Sequence, residues 1–232
     1  MSRRDEILDK ARSVQLLPAA AARAIPMLRD PNASITDVAR VIEMDPGLTS
    51  NILRLANSAF FGSPRSIATV REAIVRHGMA ETLRLVTGAA MQTAGSKPVQ
   101  GYDLPAGKLW EHSVAVALAT ERLAAAIRRP VPDYAFTAGQ LHDIGKVVLG
   151  TFVQVDAAPI LASAFERKMS FEQAERETLG IDHAELGALL MEHWALPAGI
   201  VEAVRWHHQP DGCAGGDQMA VDLVHAADAL CL

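Results

Sequence analysis

Apolar residues recur along this chain at intervals of three and four, in stretches separated by short clusters of Pro, Gly, Asp and Asn. Leu109, Val116, Leu118, Ala119, Leu123 and Ile127 form one such stripe, and Leu83, Leu85, Val86 and Ala90 form another. Over no long run do β-branched and polar residues alternate, so the spacing predicts an all-α protein with almost no sheet.

Capping residues place the helix ends. Helices are predicted over residues 5–14 and 19–29, the second bent at Pro26. Ser34 with Asp37 opens a helix from Ile35 to Met44, and Asp45-Pro46 starts the next, which runs to Phe60 and stops at Gly62. Thr69 opens Val70 to His77, Gly78 breaks it, and Met79 to Thr93 follows. After Pro105 a long helix reaches about Arg129, and Asp133 caps one that carries Gln140 to Leu149. Further helices cover 157–168, 171–179, His183 to Trp194, Pro197 to His207-His208, and Asp217 to Leu232. Ser170 with Gln173 forms a capping box, Gly180 ends that helix, and Asp182 with Glu185 starts the following one.

Between Gly95 and Asp103 the helical period is lost just where turn residues accumulate. The boundary is placed there, between an N-terminal helical lobe over 1–100 and a second lobe over 101–232. The composition, 50% hydrophobic and 21% charged, is that of a globular chain. With a net charge of -5 and dispersed Lys and Arg, the sequence presents no extended basic face for nucleic acid. The helices joined by Met44-Asp45-Pro46-Gly47 match a helix-turn-helix in length, but Thr49, Ser50 and Asn51 are accompanied by a single cation, Arg54. Core packing is therefore the better reading of that pair, and DNA binding ranks last. Cys213 and Cys231 have no Cys-x-x-Cys spacing, which fits a reducing compartment and predicts the cytoplasm. No apolar run is long enough for a signal peptide or a membrane span.

The chemistry concentrates in the second lobe, which holds seven of the eight histidines. Within Gln140-Leu141-His142-Asp143-Ile144-Gly145-Lys146-Val147-Val148-Leu149, an imidazole and a carboxylate sit in an apolar helix, where burial without partners is costly. Taken singly, His112 reads as a core histidine, His183 as a first-turn residue, Asp228 as a surface acid, and His207-His208 as the flank of a turn. With His142-Asp143 they make a pattern suited to zinc, iron, manganese or nickel, held by helices converging from distant parts of the chain. Lys146, one turn after His142, places an ammonium where a phosphate oxygen would be met. Gly145 allows close approach of backbone or ligand. His193 and His225 are read as outside the ligand set, His225 with a supporting place near Asp228.

Four stretches carry a resemblance to a known family: Asp45-Pro46-Gly47-Leu48-Thr49, Leu53-Arg54-Leu55-Ala56-Asn57-Ser58-Ala59-Phe60-Phe61-Gly62, Leu141-His142-Asp143-Ile144-Gly145-Lys146 and Asp182-His183-Ala184-Glu185-Leu186-Gly187. Through them the chain from about Leu17 to Trp206 resembles the HDOD domain family, a branch of the HD superfamily. The resemblance implies one all-helical bacterial module that works in signalling through protein partners. His112, His142, Asp143, His183, His207, His208 and Asp228 also resemble, position by position, the ligands of the related HD-GYP cyclic-dinucleotide phosphodiesterases. That likeness implies one or two divalent ions (Fe, Mn, Ni, Mg or Zn), bridged by Asp143, and a nucleotide or other phosphodiester ligand. If the site hydrolyses its ligand, Asp143 and Lys146 are the catalytic candidates. The Gly-Tyr-Pro signature is missing, and Gln209-Pro210-Asp211-Gly212-Cys213-Ala214-Gly215-Gly216 stands in its place.

Overall fold

A computed structural model describes residues 2–14, 16–59, 61, 66–127, 129–214 and 218–232. The predicted helix end at Phe60, the stop at Gly62, and Gly215, Gly216 and Asp217 lie outside the described residues. Among those described the protein is all-α, and the sole β-type pairing is an isolated antiparallel bridge between Val99 and Leu104. No helix among them is long and apolar enough to cross a membrane.

The chain divides into two compact units. The smaller, Gln15–Thr93, contains α2 (Ala19–Arg29), α3 (Ile35–Glu43), α4 (Pro46–Ala56) and most of α5 (Val70–Gly95). α2 packs on α3 and α3 on α4, around Ile25, Ile42 and Ile52. The predicted starts hold, because Ser34 accepts from the Asp37 amide and Asp45 from the Leu48 amide. α4 stops at Ala56, short of the predicted Phe60, because Asn57 turns the chain. Its side chain donates to the carbonyls of Leu53 and Ile67 and accepts from the Ile67 amide at 2.7 Å. α5 is broken at Gly78, as the pattern predicts.

The larger unit combines Met1–Val14 with Ala94–Leu232. It holds α1 (Arg3–Ser13), α6 (Lys108–Ile127), α7 (Ala135–Leu141), α8 (Ile144–Val147), α9 (Ala157–Arg167), α10 (Phe171–Leu179), α11 (His183–His193), α12 (Ala198–Trp206) and α13 (Gln218–Cys231). α6 packs against α7 and α13, α12 touches α7, α11 and α13, and α8 rests on α11. A single division near residue 100 does not describe this arrangement, since α1 belongs with the C-terminal segment. Its Ile7 and Ala11 are buried, and Arg4 donates to Glu185 at 2.7 Å and to the Gly180 carbonyl at 3.2 Å.

The stretch from Gln140 to Leu149 is not the continuous helix that its apolar pattern predicts. α7 ends at Leu141, Asp143 takes φ -99° and ψ 9°, α8 lasts one turn, and Val148–Val153 winds as a π turn. The N-cap position of α7 is Tyr134, one residue after the predicted Asp133. The interruption falls at His142-Asp143, where two adjacent side chains must reach one point.

Candidate metal centre

Five helices supply the predicted ligands. His112 comes from α6, His142 and Asp143 from the break after α7, and His183 from the first residue of α11. His207 and His208 follow α12, and Asp228 lies on α13. Gly145 makes the convergence possible, because a Cβ there would stand 2.0 Å from the His183 carbonyl oxygen. Its lack of a side chain lets α8 press against the start of α11 and brings Asp143 to His183.

The structure gathers the seven residues into two adjoining groups. His112, His142 and Asp228 form one, and Asp143, His183, His207 and His208 form the other, each with its donor atoms within 4.8 Å of one another. Asp143 faces both. Its Oδ2 lies 3.5 Å from His142 Nε2 and 3.7 Å from His112 Nε2, while Oδ1 lies 3.3 Å from His183 Nε2. Asp228 Oδ1 stands 3.0 Å from His112 Nε2 and 3.4 Å from His142 Nε2.

Backbone carbonyls and a carboxylate orient the rings. His142 Nδ1 donates to the Gly139 carbonyl at 2.8 Å, and His207 Nδ1 to the Val204 carbonyl at 2.7 Å. His183 Nδ1 donates to Glu175 at 2.5 Å. Since these partners only accept, each Nδ1 carries a proton and each Nε2 is left facing the centre, where it offers its lone pair once a cation displaces any second proton. His142 Nε2, Asp143 Oδ1 and His207 Nε2 are buried and have no hydrogen-bond partner. An unsatisfied buried polar atom costs about 1–3 kcal/mol, and three in one place fit a cation that would accept all of them. His183 Nε2 and His208 Nε2 are 2.8 Å apart, again turned toward each other as donors around a shared ion would be.

The electrostatics separate the two groups. Burial works against a charged His142, yet the carboxylates of Asp143 and Asp228 outweigh it and raise its pKa to about 9. Burial, with His208 and His142 nearby, pushes His207 well below the usual imidazole range. Burial and His183 take His208 down to about 4. Asp143 stays ionised despite burial because Lys146, His142 and His183 surround it. Lys146 Nζ donates to Asp143 Oδ2 at 2.7 Å, a partner one turn away that differs from the expected His142 face. Lys146 and His112, with side chains 20% and 21% exposed, and the half-buried His208 form the open side of an otherwise buried centre.

His193 is exposed and lies outside the cluster. His225 Nδ1 donates to the His207 carbonyl at 2.6 Å and so braces a ligand candidate without entering the group. The sequence reading missed Glu175 and Tyr102. Glu175 is fully buried although it belongs to a polar helix, and its place four residues after Phe171, on the inward stripe of α10, was the available signal.

An HDOD domain matches residues 14–210. A protein of Treponema pallidum is 25% identical over 207 residues, which are 87% of this chain and 39% of that relative; the chain thus spans about two fifths of its length. Among solved structures, an HDOD domain protein of unknown function from Geobacter sulfurreducens is 27% identical, with a TM-score of 0.74 over 98% of this chain and 78% of that one. A proposed phosphohydrolase from Shewanella amazonensis is 29% identical, with a TM-score of 0.76 over 97% and 79% of the two chains. A proposed signal transduction protein from Marinobacter aquaeolei is 26% identical, with a TM-score of 0.63 over 91% of this chain and 47% of that one. The all-helical architecture, the His/Asp cluster and the match over residues 14–210 agree: the chain belongs to the HDOD family.

Proposed function

We propose that this chain is a bacterial regulatory HDOD module, acting in the cytoplasm through protein partners, whose larger unit binds divalent metal and through it a phosphodiester ligand. One observation carries the proposal: the Asp143 carboxylate stands between two groups of donors whose buried His142 Nε2, Asp143 Oδ1 and His207 Nε2 have no other partner. His112, His142 and Asp228 would hold one ion, and His183, His207 and His208 a second, with Asp143 shared. Likeness to a proposed signal transduction protein supports the regulatory half of the reading.

Its test is metal content followed by ligand titration. The purified chain is loaded with Mn2+, desalted and analysed by mass spectrometry, then titrated with cyclic dinucleotides in a calorimeter. Two ions per chain and metal-dependent binding are expected; a chain free of metal after loading would contradict the proposal.

A second reading, hydrolysis in addition to binding, is favoured by Lys146 and His112 on the open side, Lys146 against Asp143 Oδ2 at 2.7 Å and His112 against Asp228 Oδ1 at 3.0 Å. Ions bound there would supply Lewis acidity to a phosphoryl oxygen and to a water. Lys146 would release Asp143 to the metal and offset charge on the phosphoryl group. Turnover of bis-p-nitrophenyl phosphate that falls in Lys146→Ala while metal content stays constant is the expected result. Turnover indifferent to Lys146 would leave binding as the function.

DNA binding is ranked last, and two features support that ranking. Arg54 donates to Asn51 at 2.9 Å and to Gln92 on α5, and Asn51 donates to Thr93. The polar side of α4 is thereby occupied within its own unit.

A further inference from the structure

We infer that Glu175 and Tyr102 are positioning residues that set how strongly His183 holds metal, an inference that rests on the metal reading above. Glu175 is the only carboxylate that touches a candidate ligand from outside the cluster among the described contacts. Its Oε2 accepts from both the His183 backbone amide at 3.1 Å and the His183 ring Nδ1 at 2.5 Å. Its Oε1 accepts from the Tyr102 hydroxyl. Three donors thus converge on one fully buried carboxylate.

The consequence for His183 is chemical as well as geometric. An ionised carboxylate cannot donate, so Nδ1 keeps its proton and Nε2 offers its lone pair toward Asp143 Oδ1 and His208 Nε2. Negative charge behind an imidazole also makes its other nitrogen a stronger donor to a cation. His142 and His207 are held from behind by neutral carbonyls, so His183 alone of the three has a charged brace.

Tyr102 fixes that brace. It ends the short 3-10 turn Gln100–Tyr102, and its ring lies against Gly150, where a Cβ would approach Tyr102 Cδ2 to 2.7 Å. The Phe171 ring, centred 6.0 Å away and tilted by 60°, packs with it. Burial and the neighbouring Glu175 hold the phenol far above its usual pKa, which keeps it a donor. Without that hydroxyl, Oε1 would be left with no partner in the same pocket and the carboxylate free to turn away from His183.

The test uses Co2+ alone, whose visible spectrum reports coordination number and donor set, in competition with a chelator. Glu175→Gln preserves shape and removes charge; Tyr102→Phe removes one hydroxyl. Mutation of such supporting partners typically costs 10- to 100-fold in metal affinity. Glu175→Gln is therefore expected to weaken one Co2+ equivalent by about 10- to 100-fold and alter its spectrum, with the other equivalent unchanged. Tyr102→Phe is expected to shift the same equivalent by less. Equal weakening of both equivalents in parallel with a lowered melting temperature would show a merely structural role and overturn the inference. So would cobalt affinity and spectra unchanged in Glu175→Gln while the parent chain binds normally, an outcome that leaves the metal reading standing. A parent chain that takes up no cobalt would overturn the metal reading and this inference together.

Discussion

The two units are built from the same material and differ in what they bury. In the smaller, the fully buried polar side chains among the described residues are Thr82 and Thr87. Both hydroxyls return a hydrogen bond to a carbonyl of their own helix, Thr82 to Gly78 at 2.7 Å and Thr87 to Leu83 at 2.9 Å. The larger unit buries His142, Asp143, Glu172, Glu175, Asp182, His183, His207 and Asp228. An apolar core would serve folding better than these groups, since removing charge from water is costly. Glu172 is bonded by Ser170 and Asp182 by Arg176 and the Glu185 amide, whereas His142, His183, His207 and Asp228 collect around Asp143 in groups that could hold a metal ion, and the described residues of the smaller unit carry no such cluster.

Substitutions that separate metal from stability sharpen this contrast. The largest effect is expected from Asp143→Asn, which keeps the shape and removes the shared charge. Metal content measured by mass spectrometry should fall to background for both ions, with helical circular dichroism retained. In the smaller unit, Ile52→Ala should cost about 2–5 kcal/mol in denaturant unfolding, as large-to-small changes in a packed core do, and leave metal content unaltered. Chelation should also destabilise, but through the larger unit and with loss of metal. With metal at about 100 times its dissociation constant, its removal withdraws about 2.7 kcal/mol from the larger unit, seen as a lower melting temperature that added Mn2+ restores. The smallest effect belongs to Arg54→Ala, whose exposed bonds to Asn51 and Gln92 should contribute under about 1 kcal/mol to unfolding and nothing to metal content. Metal loss on Ile52→Ala, or none on Asp143→Asn, would break the contrast.

What the sequence made legible follows from how local each cause is. Helix starts at Ser34, Asp45, Ser170 and Asp182 are decided by a side chain and an amide three residues on, so they can be read from a few letters. The placement of α1 depends on a contact between Arg4 and Glu185, 181 residues apart, which no local pattern announces. The interruption at His142-Asp143 was hidden by the apolar residues on both sides of it, since periodicity reports burial and not winding. Of the site, the histidines and aspartates stood out because buried imidazole and carboxylate demand a partner. Glu175 and Tyr102 did not, because a glutamate in a charged helix and a tyrosine in a turn are ordinary until the fold brings them to His183.

The two-ion assignment is tested most directly by anomalous diffraction from crystals of the manganese-loaded chain, with data collected on both sides of the metal edge. Two peaks are predicted, one among His112, His142 and Asp228 and one among His183, His207 and His208, with Asp143 between them. Density without an anomalous peak at either group, or a peak held by other residues, would contradict it.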